Sequence, residues 1–281
     1  MARERSGRTL AHLVLATRLR ILREAAGLSR EAAAEALGAH PATVRRIEQA
    51  QTSLDPGQVR TLLTAYGSAP AEVEETLGKL TAANRPGWWH PWRAVMEPWQ
   101  FDLMSVESAA SIVRSWDPVL VPALLRTPAY ARALDDVLRP DLSPAERERR
   151  AELLAERRER LRERRTRVWA LMSAAGLRTV VGGREVMAEQ IDALRAAAEQ
   201  SYVTLQIHPV DSPPHALTGI PALTFFRVDV PGIPDHVVRE GGLAGAADVW
   251  DADTTVTAYR RLLDYSCATA LHPDMSKEAL E

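Results

Sequence analysis

The sequence predicts a mainly α N-terminal domain followed by an α+β C-terminal domain, and three observations carry that division. Near the N-terminus, two short helical segments are joined by a tight glycine turn among arginines. After residue 166, short runs of branched and aromatic residues alternate with amphipathic stretches and Gly/Pro turns. Charge divides the chain in the same sense. Residues 1–67 carry ten arginines against six acids, a net of +4, and the remainder carries 25 basic and 31 acidic residues, a net of −6.

The first of the paired helices opens at Ser29, whose hydroxyl can cap the Ala32 N–H, with Leu28 outside as an apolar staple. Arg30 to Leu37 is alanine-rich, which favours helix and lets a neighbour approach closely. Gly38 stops it, and His40-Pro41 starts the next, since proline suits the first helical position. That second helix runs from about His40 to Gln49. Its Val44 and Ile47, three apart, face a core, while Ala42, Arg45 and Gln49 project outward. This is the grammar of a helix-turn-helix and predicts binding to duplex DNA. The plainer alternative is an alanine-rich helical hairpin inside a core. Glu48 is expected to be an internal partner for Arg20 or Arg23 rather than a functional acid.

On Leu28-Ser29, Ala36-Leu37-Gly38 and Thr43-Val44-Arg45-Arg46-Ile47-Glu48, the chain resembles the Cro/repressor-type (XRE) regulators. The resemblance spans roughly Leu15 to Gly67 and implies five helices, the first over Leu15–Arg23, the fourth over Pro56–Tyr66 and a fifth over Pro70–Ala83. It also implies that the recognition helix enters the major groove by its N-terminal residues. His40, Ala42 and Arg45 would then face base edges, and Ser29, Arg30, Thr43 and Arg46 would lie near phosphates. An arginine bidentate to guanine carries about 1–3 kcal/mol of discrimination, which makes Arg45 the main reader, whereas Ala42 can only touch a thymine methyl. Arg30 stands where relatives place glutamine, Pro41 where they place a polar residue, and Ala50-Gln51 where they place glycine-lysine.

Composition narrows the setting. One cysteine cannot form an internal disulfide, the charged Met1–Thr9 has no apolar stretch of signal-peptide length behind it, and no run of about 18 apolar residues exists. The expectation is a cytoplasmic protein with no membrane segment. The 33 arginines against two lysines, Lys79 and Lys277, reflect a GC-rich bacterial genome. A basic head on a near-neutral chain predicts affinity for DNA that falls steeply with salt.

The expected boundary lies at 84/85, giving a DNA-binding domain over 1–84 and a regulatory or interaction domain over 85–281. Five of the seven tryptophans fall within residues 88–116. Trp88, Trp89, His90, Trp92 and Trp116 are therefore the candidates for a ligand pocket or interface, against the plainer expectation that they pack the joint between domains. Thr127 caps a helix starting at Pro128, and Ser143-Pro144-Ala145-Glu146 is a capping box opening a helix to about Arg165. Strands are expected over 167–172, 203–207, 222–228 and 236–239, with helices over 186–200 and 254–271. Along residues 85–275 the chain resembles actinobacterial XRE regulators of the WhiJ-like kind, on Gly87-Trp88-Trp89-His90, Trp116-Asp117-Pro118, Val181-Gly182-Gly183, Gln190 and Gln206-Ile207-His208-Pro209. Ala123, Arg126 and Ser173-Ala174-Ala175 depart from that pattern.

No nucleophile elbow, phosphate loop, dinucleotide fingerprint or zinc spacing is present, so no enzyme, cofactor or metal is expected. His208, His215 and His236 lack the close repeats of a metal site. Cys267 is expected to be buried and inert. Two functions fit: a transcriptional regulator that reads an operator as a homodimer, its C-terminal domain dimerising and sensing, or an antitoxin-like interaction module that binds a small partner protein. A third reading makes the tryptophan cluster a small-ligand pocket that shifts DNA affinity.

Overall fold

The computed structural model describes residues 9–240 and 247–281; the reading of Met1–Thr9 thus falls almost wholly outside the described residues. The described residues divide into two compact units, one of residues 9–93, 100–109 and 229–233, the other of 94–99, 110–228, 234–240 and 247–281.

The first unit is helical: α1 (Leu10–Ala25), α2 (Arg30–Leu37), α3 (Pro41–Glu48), α4 (Pro56–Ala65) and α5 (Pro70–Ala83). Four of the five starts have a local chemical cause. Thr9, Ser29, His40 and Asp55 are N-caps whose side chains accept a backbone N–H, and Pro41 and Pro56 occupy first-turn positions. α2 ends because Gly38 takes a left-handed φ of 60°. The helices close over Leu15, Leu19, Val44, Ile47, Leu54, Leu62 and Leu63, all buried. Ala33 and Ala34 in the same core let α2 and α3 pack closely. After a short 3₁₀ turn at His90–Val95 comes α6 (Pro98–Ala109), most of which belongs to this unit.

The second unit is built on a six-stranded mixed sheet in the order β3-β2-β1-β4-β5-β6. β1 (Ile112–Asp117), β2 (Arg167–Ser173) and β3 (Val203–His208) run parallel. β4 (Leu223–Arg227), β5 (His236–Glu240) and β6 (Ala247–Trp250) continue antiparallel from β1. The crossover from β1 to β2 holds a 3₁₀ turn at Ala123–Leu125, then α7 (Pro128–Leu138) and α8 (Pro144–Glu163); that from β2 to β3 holds α9 (Ala175–Arg178) and α10 (Arg184–Ala198). α11 (Asp253–Thr269) and α12 (Pro273–Glu278) complete the chain.

Strand alternation gives each face its own core. Ala170, Met172, Leu205 and Ile207 pack with Tyr130, Leu134, Met187 and Leu194 of α7 and α10. Leu171, Trp116, Leu223, Phe225 and Val237 pack with Val256, Leu263 and Cys267 of α11. The outer edge of β3 is closed by the chain itself: Ile207 O accepts the Leu271 N–H at 3.0 Å and the Ile207 N–H donates to Ser276 Oγ at 3.0 Å. The α+β expectation holds. β1, β6, α6, α9 and α12 are additions to it, and α1 extends five residues N-terminal of the expected start because Thr9 caps it. No helix among the described residues is long and apolar enough to cross a membrane.

Candidate nucleic-acid interface

α2 and α3 form the predicted pair. Ser29 Oγ accepts the Ala32 N–H at 3.2 Å, and His40 Nδ1 accepts the Ala42 N–H at 3.2 Å. Val44 and Ile47 are buried while Arg45 and Arg46 are exposed, so α3 divides cleanly into a core face and an outer face. Ser29 and His40 are exposed; Ala42, Thr43 and Arg30 are half-buried. Among the described residues the Arg45 guanidinium has neither a hydrogen bond nor an ion pair, and Arg46 has only a 3.4 Å contact from Nη2 to Thr43 Oγ1.

Glu48, at the end of α3, is an internal partner as expected, and of Arg23 rather than Arg20. Its side chain is 1% exposed, and its two oxygens accept from Arg23 Nε at 2.5 Å and Nη2 at 3.2 Å. Arg23 also donates to Leu28 O at 2.7 Å, tying α1 to the start of α2. The bond to Glu48 holds the Arg23 proton above its ordinary value, and burial together with the Glu48 charge pushes the Tyr66 hydroxyl up to about 12. Sequence reading missed the third member of this group. Arg30 Nε donates to Glu48 Oε2 at 2.9 Å, so one buried carboxylate bridges α1, α2 and α3 and holds Arg30 at the rim. The available signal was the glycine turn, which brings the end of α3 back toward the start of α2.

The tryptophan candidates are only partly brought together. Trp88 lies edge-on to Trp89 and Trp92, with ring centroids at 5.8 and 6.1 Å, and its Nε1 donates to Ser108 Oγ at 3.0 Å. These three and His90 belong to the first unit, where Trp89 is 2% exposed. Trp116 belongs to the second, 3% exposed, with Nε1 donating to Ile220 O at 3.0 Å. A cavity of about 410 Å³ in the second unit is lined by Arg162, Glu163, Arg165, Gln200, Ser201 and Tyr202, none of them among the candidates. Cys267 is buried, and its thiol is pushed up by that burial. Among the described residues no three His, Cys, Asp or Glu side chains gather as they would around a metal ion.

Comparison with known families gives the arrangement its context. Residues 14–76 match the family described as "Helix-turn-helix domain", and residues 100–281 match the family described as "Domain of unknown function (DUF5753)". No curated protein and no solved structure matches the chain. The second match covers more than half of the sequence, so the chain belongs to the DUF5753 family; the first gives it a helix-turn-helix head, the hallmark of DNA-binding regulators rather than of enzymes.

Proposed function

We propose that this member of the DUF5753 family is a sequence-specific transcriptional regulator of the XRE kind, in which α3 enters the major groove of an operator. The observation that carries the reading is the exposed Arg45, unpaired among the described residues, on a helix whose opposite face is locked into the core. Arg45 reads a guanine edge, His40 and Ala42 lie against neighbouring bases, and Ser29, Arg30, Thr43 and Arg46 contact phosphates. The buried Glu48 keeps Arg30 where a phosphate can share it. The operator is bound as a homodimer on half-sites about 34 Å apart, in the cytoplasm, with the DUF5753 unit dimerising and sensing. The order of matched residues from Gly87 to Pro209 supports the WhiJ-like affinity.

The test is binding of the purified chain to its own promoter region across a salt series. Affinity is expected to fall linearly on a log–log plot, and Arg45→Ala to weaken it by about 5- to 150-fold, the equivalent of about 1–3 kcal/mol. Salt-insensitive binding, or none to any promoter fragment, overturns the reading. A small protein that co-purifies stoichiometrically while no operator is found would favour the antitoxin-like alternative.

A further inference from the structure

Two histidines that the DNA reading leaves unused lie face to face in the second unit. The His208 and His215 rings are stacked with centroids 3.8 Å apart and 15° between planes, and Trp116 lies edge-on to His215 at 5.0 Å. His208 ends β3 and is 2% exposed; His215 sits in the segment 209–222 that leads to β4. That segment is fastened at one point above all. The Leu217 N–H donates to Ser266 Oγ of α11 at 3.1 Å and to His215 Nδ1 at 3.2 Å, and the Leu217 side chain is fully buried in the α11 core.

We propose that the stacked His208–His215 pair is an acid-released latch that holds the segment 209–222 on α11 and opens when the rings take up protons. Two protonated rings stacked 3.8 Å apart in a buried site would set like charge against like charge, so the geometry disfavours closure once both are charged. His215 Nδ1 stands 3.2 Å from the Leu217 N–H and 3.1 Å from Ser266 Oγ; as an acceptor it leaves the neutral ring's proton on Nε2, and a proton added at Nδ1 would displace the Leu217 N–H and leave it to Ser266 Oγ alone. On the other ring, the Ser212 hydroxyl is committed to Pro209 O at 2.7 Å, which leaves Ser212 Oγ to accept from His208 Nδ1 at 3.1 Å and Nε2 to face Thr269 Oγ1 at 3.3 Å. The groups facing the pair are the Trp116 indole from β1, the Ser266 and Thr269 hydroxyls from α11 and Ser212 from the segment itself. None is ionised at neutral pH. The charge acting on His215 is that of its stacked neighbour, and no carboxylate holds a proton on either ring.

Burial holds both rings below the ordinary histidine value, for His215 with help from the like charge of His208. The open state therefore binds more protons than the closed one. Closure is fully favoured above the ordinary value of about 6.5 and is lost progressively as pH falls below it, by about tenfold per pH unit for each proton taken up.

The experiment is amide hydrogen exchange on the full chain at pH 7.5 and 5.5, corrected for the intrinsic exchange rate. Protection at Leu217 is expected to drop about tenfold or more, while Leu171 in β2 keeps its protection. His215→Phe, which keeps a ring against Trp116 but cannot be charged, is expected to remove most of that drop. Should that variant fail to fold, an NMR titration of the histidine ring protons in the natural protein decides: two coupled transitions below the ordinary value are expected. Leu217 protection that does not change with pH, an unchanged drop in His215→Phe, or two rings titrating independently at the ordinary value would overturn the latch.

Discussion

α3 and α8 are both arginine-rich helices with exposed faces, and they use those arginines in opposite ways. On α8, Arg160 pairs with Glu156 at 2.8 Å, Arg149 with Glu152 and Arg162 with Glu159, while Arg147 and Arg150 reach Asp136 at 3.1 Å and Asp135 at 2.8 Å on α7. On α3, the Arg45 guanidinium has no such partner among the described residues. The lesson is that arginine density is a poor sign of a nucleic-acid surface. An arginine whose charge is met by a carboxylate on its own helix offers a phosphate little, because that pair must be given up before the phosphate can take its place.

The contrast can be broken first at its base. Glu48→Ala leaves the buried Arg23 with only the exposed Glu24 carboxylate, 3.3 Å from its Nη2, and is expected to destabilise the helical unit by about 3–5 kcal/mol, read by urea unfolding. A loss under about 1 kcal/mol would mean the bridge adds little beyond a surface pair. Next, Arg45→Lys keeps the charge but not the planar fork. The salt slope of operator binding is expected to persist while discrimination at one base step falls by about 1–3 kcal/mol, measured by competition with single-base variants. The matching change on α8, Arg162→Ala, is expected to shift stability by less than about 1 kcal/mol and to leave operator affinity unchanged; a weakened affinity there would erase the distinction between the helices. Smallest is Ala50→Gly. Ala50 has a left-handed φ of 54°, so glycine relieves about 1 kcal/mol of backbone strain and loses a comparable amount from a buried methyl, leaving a melting temperature nearly unmoved.

The two units also differ in how far they could be read from sequence. The helical head was legible because its punctuation is local: Ser29, Gly38, His40-Pro41 and Asp55 each fix a boundary within a few residues. Likewise the capping box at Ser143 and Glu146 announced α8. In the sheet unit, β2 to β5 were legible from branched and aromatic runs, but β1 was hidden. Its Arg114 is buried and held by Asp264 at 2.5 Å and by the face of Trp169, partners 150 and 55 residues away that no local pattern reveals. β6 has four residues and offers almost no periodicity. Strand order depends on two crossovers and was not derivable from spacing. At the interface, the outward face of α3 was legible from the three-residue spacing of Val44 and Ile47, whereas the Arg30–Glu48 bridge needed the folded turn. His208 and His215 were judged by metal-ligand spacing, and stacking across a loop lies outside that test.

The closure of β3 by the chain's own end has a consequence for translation. A premature stop just before Leu271 would spare every strand of the sheet, yet it would strip both hydrogen-bond partners from Ile207 and remove Leu280 from the core beneath. Such a product would expose a bare strand margin ready to recruit another copy, so the shortest truncations should yield insoluble protein rather than a merely weakened one.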